Sequence, residues 1–136
     1  MSTSRRLGTL AAPVEKRTTD SKDVQMEEVI PVLRVSDASR AVAWFARLGY
    51  DQEWEHTFEP GFPVFTSMTR RGAARLFLSE HTGDARPGTL IHLRVDDLDE
   101  VAHEFGVDVL DKPWGREVHL TDPDGNRLRV GDTATR

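Results

Sequence analysis

The chain repeats itself. Leu33-Arg34-Val35-Ser36-Asp37 returns 60 residues later as Leu93-Arg94-Val95-Asp96-Asp97, with Val42 then falling opposite Ala102 and Phe45 opposite Phe105. Self-similarity at a fixed offset implies one supersecondary unit built twice. Each copy opens on an apolar strand, breaks at Ser or Asp and continues with helical spacing. Val42, Phe45 and Leu48 share one helix face in the first copy; Leu98, Val101, Ala102 and Phe105 share one in the second. Asp37 and Asp97 fall at the helix starts, where a carboxylate caps free backbone N–H groups and meets the positive end of the dipole. Gly49 and Gly106 end the helices.

Three extended segments follow each helix. They are predicted over 50–57, 64–69 and 75–79, then over 108–111, 117–120 and 127–130. Pro60-Gly61, Arg71-Gly72, Pro113 and Asp122-Pro123-Asp124-Gly125-Asn126 supply turns. The fold class is therefore α+β: two βαβββ modules, spanning 27–79 and 89–131, whose curved mixed sheets surround a cleft. Residues 80–88 read as a linker and 132–136 as a tail. Residues 1–26, rich in Ser, Thr, Arg and Ala without sustained period, read as a flexible leader.

Strand alternation sorts the faces. Leu33 and Val35, with Leu93 and Val95, have the parity that packs on the helices. Ile30, Val32 and Arg34, with Leu90, His92 and Arg94, have the opposite parity. Arg34, Arg94, Arg129 and His92 make that second face mixed, which suits a lined cavity rather than a core. The paired arginines fit either a shared structural salt bridge or ligand contact. His92 taken alone fits a satisfied sheet histidine more readily than a ligand. Val118 and Leu120 have inward parity, so Glu117 and His119 are expected to be exposed.

Composition excludes several chemistries. The chain of 136 residues has no cysteine, so disulfides, thiolate zinc sites and catalytic thiols are ruled out. No apolar run has the length of a signal peptide or membrane span, and a cytoplasmic location is expected. The net charge is −5, although residues 1–24 carry Arg5, Arg6, Lys16, Arg17 and Lys22 against Glu15, Asp20 and Asp23. The negative charge thus lies in the modules, which disfavours nucleic acid and favours a cationic ligand if the ligand is charged. The five histidines form no H-x-x-x-H pair, and G-x-S-x-G, Walker and G-x-G-x-x-G motifs are absent. What stands out instead is aromatics beside acids: Trp54, Glu55, His56, Phe58, Glu59 and Phe62, with Trp114 in the matching region of the second module. Flat heteroaromatic molecules stack on such rings, and carboxylates attract a cationic tail. The same rings could instead fill a subunit interface.

Trp44-Phe45-Ala46-Arg47-Leu48-Gly49-Tyr50, Leu93-Arg94-Val95-Asp96-Asp97-Leu98 and the Asp122–Asn126 turn resemble the vicinal oxygen chelate (glyoxalase) superfamily. Pro113-Trp114-Gly115-Arg116-Glu117 before that turn is similar to the bleomycin-resistance branch. The resemblance implies a homodimer that forms two clefts, and a small-molecule ligand that is a cationic or aromatic natural product. Trp54, Glu55, Phe58, Glu59, Phe62 and Trp114 are the residues it places in the cleft, and Phe77, His92 and Arg116 complete the candidate ligand-binding set. Metal-dependent relatives carry four His or Glu ligands. The matching positions are identified as Ile30, Phe77, Leu90 and Arg129, three without a lone pair to offer and one permanently positive. A shift of two residues would bring in His92 but not the other ligands. No catalytic residue, metal or cofactor is therefore assigned, and the expected function is sequestration of a bleomycin-like antibiotic. The alternatives are a metal-dependent glyoxalase or dioxygenase, or a metabolite binder. One departure is the short segment between the second helix and Pro113, where larger family members carry more residues.

Overall fold

The computed structural model describes residues 26–133. The first module contains β1 (Val32–Arg34), α1 (Ala38–Arg47), β2 (Tyr50–His56), β3 (Phe65–Arg70) and β4 (Ala73–Ser79). The second contains β5 (Leu90–Val95), α2 (Leu98–Phe105), β6 (Leu110–Lys112), β7 (Gly115–Thr121) and β8 (Arg127–Asp132). Each forms a four-stranded sheet, ordered β1-β4-β3-β2 and β5-β8-β7-β6, in which the first and last strands pair parallel and the others antiparallel. The sheets are mixed and remain open. Most of the predicted leader, residues 1–25, lies outside the described residues, as do 134–136 of the predicted tail. No helix among the described residues is long and apolar enough to cross a membrane.

Both helices cover the face that strand parity selects. Leu33, Val35, Leu76 and Leu78 from the first sheet are buried against Ala41, Phe45 and Leu48; Leu93, Val95, Val118, Leu120, Leu128 and Val130 are buried against Leu98, Val101 and Ala102. These residues form one continuous core. The helices also meet each other: the Trp44 and Phe105 rings lie 5.2 Å apart, and the Arg47 guanidinium sits 4.3 Å above Phe105 while donating to Glu104. No element among the described residues covers the opposite face of either sheet.

Besides the Arg47–Glu104 pair, two polar ties join the modules, each at a helix or strand end. Asp37 caps α1 as its position implies, accepting from the Arg40 N–H at 3.2 Å. Asp97 does not act as a side-chain cap, contrary to the sequence expectation. Its carboxylate is drawn away by the buried Arg70, at 2.8 and 3.0 Å, and by Arg71. A guanidinium offers a stronger hydrogen bond than a neutral amide, so the cap gives way to an intermodule ion pair. Arg70 also donates to the Leu48 carbonyl at the end of α1. Gly49 makes this approach possible: its φ is +100°, and a Cβ there would stand 3.1 Å from Arg70 Nε.

The second tie is the Asp-Pro-Asp-Gly-Asn turn. Asn126 is wholly buried, and its amide donates to the Arg34 carbonyl and to Asp122 Oδ2, both at 2.9 Å, while its Oδ1 accepts from the Thr89 N–H. Asp122, also buried, accepts from the Asp124 and Asn126 backbones. The turn between β7 and β8 is thereby fastened to the end of β1 and the start of β5.

Candidate functional site

The open face of the first sheet is aromatic. Register places Val32, Phe77, Ser67 and Trp54 in one cross-strand row, and Arg34, Ser79, Phe65 and His56 in the next. Trp54 stacks on Phe65 with centroids 6.0 Å apart and an interplanar angle of 22°, and Phe77 lies 5.6 Å from Trp54 and 5.0 Å from Phe65. Phe58 meets His56 edge-on at 4.6 Å and His81 at 6.4 Å. Trp54, His56, Phe58, Phe65, His81 and Asp84 line a cavity of about 370 Å³. Although the cluster is internally stacked, Trp54 is 45% and Phe58 71% exposed.

The acids expected beside these rings are arranged differently. Glu55 pairs with Thr66 one step along β2 from Trp54, on the opposite face, and accepts from Gln52. Glu59 lies exposed in the turn after β2, where its carbonyl accepts from the Phe62 N–H, and Phe62 is half exposed there too. The β2 carboxylate that does reach the open face is Glu53. It accepts from Ser67 at 2.6 Å and from two Arg75 nitrogens at 2.8 and 2.9 Å, and these bonds, Arg75 first, hold its carboxyl down to about 2. An irregularity between Gln52 and Trp54 breaks the alternation and brings both Glu53 and Trp54 to this side. No sequence signal marks that bulge. Phe65 was legible, since it alternates with Ser67 in a segment already assigned as a strand.

The open face of the second sheet is basic. His92, Arg129 and His119 form one cross-strand row; Arg94, Gly131, Glu117 and Leu110 form the next. Pro113 and Trp114 make the turn of the β6–β7 hairpin. From there the Trp114 indole N–H donates to Glu117 Oε1 at 3.0 Å, while Glu117 Oε2 lies 2.6 Å from His119 Nε2. Glu117 is therefore only 4% exposed, which corrects the expectation of a solvent-facing residue; His119 is exposed as expected. The Trp114 hydrogen bond, supported by His119 and by the charge of Arg129, holds the Glu117 carboxyl below the usual range despite its burial. Arg116 reaches the helix side, where it pairs with Asp99 and Asp132. A cavity of about 250 Å³ is bounded by His92, Arg94, Trp114, Glu117, Arg129 and their neighbours.

The metal positions can be tested on the strand register. Phe77 faces Val32 and Arg129 faces His92, so Ile30 and Leu90 lie two residues before the partners of those strands. The first set offers three apolar side chains and a permanent cation, and the shifted set (Val32, Phe77, His92 and Arg129) one imidazole, two apolar side chains and the same cation; neither fits a divalent ion. The described residues contain no group of three or more His, Cys, Asp or Glu able to hold one.

Two paired modules with open, lined sheet faces define a fold of the glyoxalase type. The model of glyoxalase superfamily proteins matches residues 14–135, and the chain belongs to that superfamily. Its fold matches a bleomycin-binding protein solved in complex with bleomycin (TM-score 0.62, 22% identity, covering 79% of this chain and 99% of that one). It is similar to TnmS3, an antibiotic-binding protein from Streptomyces sp. CB03234 (TM-score 0.63, 25% identity, 79% and 98%). It is similar also to the bleomycin-binding protein of the bleomycin producer Streptomyces verticillus, solved with copper(II)-bleomycin (TM-score 0.59, 26% identity, 80% and 98%). No curated protein sequence gives a significant match.

Proposed function

We propose that this protein reversibly binds and sequesters an aromatic natural-product antibiotic, bleomycin-like or related, without making or breaking a bond in it. The observation that carries this reading is the Trp54-Phe65-Phe77 cluster, with Trp54 half exposed, beside the cavity of about 370 Å³. A cavity of that size falls within the range of drug-sized sites, and open aromatic faces reward planar ligands. The names of the bleomycin-binding and antibiotic-binding neighbours support the same class of ligand. The working unit we propose is a cytoplasmic homodimer. Trp54, Phe58, Leu90, Leu110 and Trp114 are large exposed apolar residues on or beside the two uncovered faces, and a second copy would bury them while closing a cleft over each.

Tryptophan fluorescence tests the reading. Trp44 is packed between Phe45 and Phe105 and gives a steady background, whereas Trp54 and Trp114 report on the two faces. Titrated bleomycin, and a panel of polycyclic aromatic antibiotics, should quench the exposed pair with saturation at micromolar concentration, an affinity of about −8 kcal/mol. An unchanged spectrum across the whole panel, in protein shown to be folded, would defeat it.

A further inference from the structure

The two open faces differ in chemistry. On the second sheet, Arg129 stands between His92 and His119, with strands spaced about 4.8 Å apart, and Arg94 lies one row away on the same face. Among the described residues, neither Arg94 nor Arg129 donates a hydrogen bond or forms a salt bridge. Arginines with a structural duty in this chain are visibly paired: Arg70 and Arg71 with Asp97, Arg75 with Glu53, Arg116 with Asp99. Arg34, the repeat equivalent of Arg94, donates to the Val35 carbonyl. Of the carboxylates lining the pocket, Glu117 has both oxygens hydrogen-bonded by Trp114 and His119 and feels the charge of Arg129 without a bond to it, and Asp132 is held by Arg116.

We infer that this pocket takes the acid end of an aromatic ligand, a carboxylate or equivalent oxyanion bridged by Arg94 and Arg129 with the adjoining ring against Trp114. The inference rests on the binding reading above and reverses the cationic ligand suggested by the overall charge. Guanidinium groups match a carboxylate bidentately, and two of them without acceptors on one sheet face leave positive charge for an anion to neutralise. The indole wall is already fixed by its bond to Glu117, so little ordering is required on binding. At about 250 Å³ the cavity is smaller than a whole drug-sized site, as befits a subsite. On the aromatic face Glu53 is committed to Arg75 and Glu55 lies on the far side, so the acid at that cavity is Asp84, which accepts from Ser79 and lies outside the lining of the basic pocket.

Three probes of one shape separate the possibilities: anthracene carboxylate, its neutral carboxamide and a cationic aminomethyl analogue. Each is titrated into the full chain by fluorescence anisotropy, using wild type, the R94Q/R129Q double variant and the R94K/R129K double variant. The carboxylate should bind about tenfold more tightly than the amide to wild type. That preference should vanish with Gln and survive in part with Lys, while amide binding stays level throughout. Equal binding of acid and amide, tightest binding of the cation, or a preference retained by the Gln variant would each overturn the inference and leave the aromatic-binding reading standing. Binding of none of the three at millimolar concentration would overturn both. Sedimentation provides a further check, because a change of oligomeric state confined to the Gln variant would make these arginines subunit contacts. The acid-to-amide ratio in wild type decides the matter even if a variant fails to fold.

Discussion

Replacing Asn126 with Ala should destabilise the protein by about 3 kcal/mol, since three side-chain hydrogen bonds at a net of about 1 kcal/mol each are lost. The bonds are those to the Arg34 carbonyl, to Asp122 Oδ2 and from the Thr89 N–H. The backbone bonds of the turn, from Asn126 N to Asp122 Oδ1 and from Asp122 N to the Asn126 carbonyl, do not need the side chain and should persist. Water entering the vacated space would lessen the loss, and orphaned buried partners would increase it, so the range extends from about 2 to about 5 kcal/mol. For a chain of this size the melting temperature should fall by about 10–20 °C. Urea denaturation followed by tryptophan fluorescence measures the free energy directly. The nearly isosteric Asn126→Asp sharpens the test. It removes both amide donors and sets a new carboxylate against Asp122 Oδ2 and the Arg34 carbonyl, so at neutral pH it should be worse than Ala. A loss below about 1 kcal/mol for Ala, with Asp no worse, would refute the view that this turn ties the modules together.

The remaining expectations concern the site and its supports. Gly49→Ala should lose about 1–3 kcal/mol in denaturant titrations, because its φ of +100° and the 3.1 Å approach of Arg70 both oppose a Cβ. Glu117 has its carboxyl pKa lowered by folding, first through Trp114, so its contribution is present above the ordinary carboxylate pKa and is lost as pH falls through the lower folded value. Unfolding midpoints measured from pH 7 downward should therefore show a weaker acid dependence in Glu117→Gln than in wild type. Trp54→Ala should weaken binding of an aromatic antibiotic by about tenfold or more, while its half-exposed position keeps the change in melting temperature to a few degrees. Protein purified without chelator should contain well under one equivalent of divalent metal by elemental analysis; stoichiometric metal would revive an enzymatic role.

The repeat made the fold legible because a helix-facing strand position needs an apolar residue in both copies. Leu33 and Leu93, and Val35 and Val95, satisfy it twice, and the register of both sheets follows. Side chains held by nonlocal partners were less accessible. Alternation placed Val118 and Leu120 inward correctly, but it treats the other face as solvent. It contains nothing about an indole folding back from the adjacent hairpin to cover Glu117. Asp97 has the right chemistry and position for a cap, and only the fold reveals that Arg70 reaches it across the module boundary. Glu55 lies opposite Trp54 by plain alternation, and a single irregularity in β2 brings Glu53 to the face of Trp54 instead, since one inserted residue is enough to put two neighbours on the same side.

That placement bears on what the site can select. A sum over the sequence describes the modules as acidic, and steering by the long-range field would follow that sum. Recognition at contact distance follows the charges left unpaired on the open faces, because a carboxylate already accepting from a guanidinium has little left for a ligand. On the first sheet Arg75 neutralises Glu53, and the surface beside Trp54, Phe65 and Phe77 is left to stacking, with Asp84, bonded to the Ser79 hydroxyl, at the cavity's edge. On the second, Trp114 and His119 hydrogen-bond Glu117, and Arg94 and Arg129, the latter within reach of the Glu117 charge, have no bonded acceptor among the described residues. The two effects oppose each other for an acidic ligand: the field slows its approach, and the pocket retains it. Raising the ionic strength screens the field over about 10 Å at 0.1 M but acts less on a pair that has lost its water. Salt should therefore speed association of an anthracene carboxylate probe while changing its dissociation rate little, a pattern stopped-flow anisotropy resolves. A cationic ligand held by surface acids would show the reverse, with association slowed by salt.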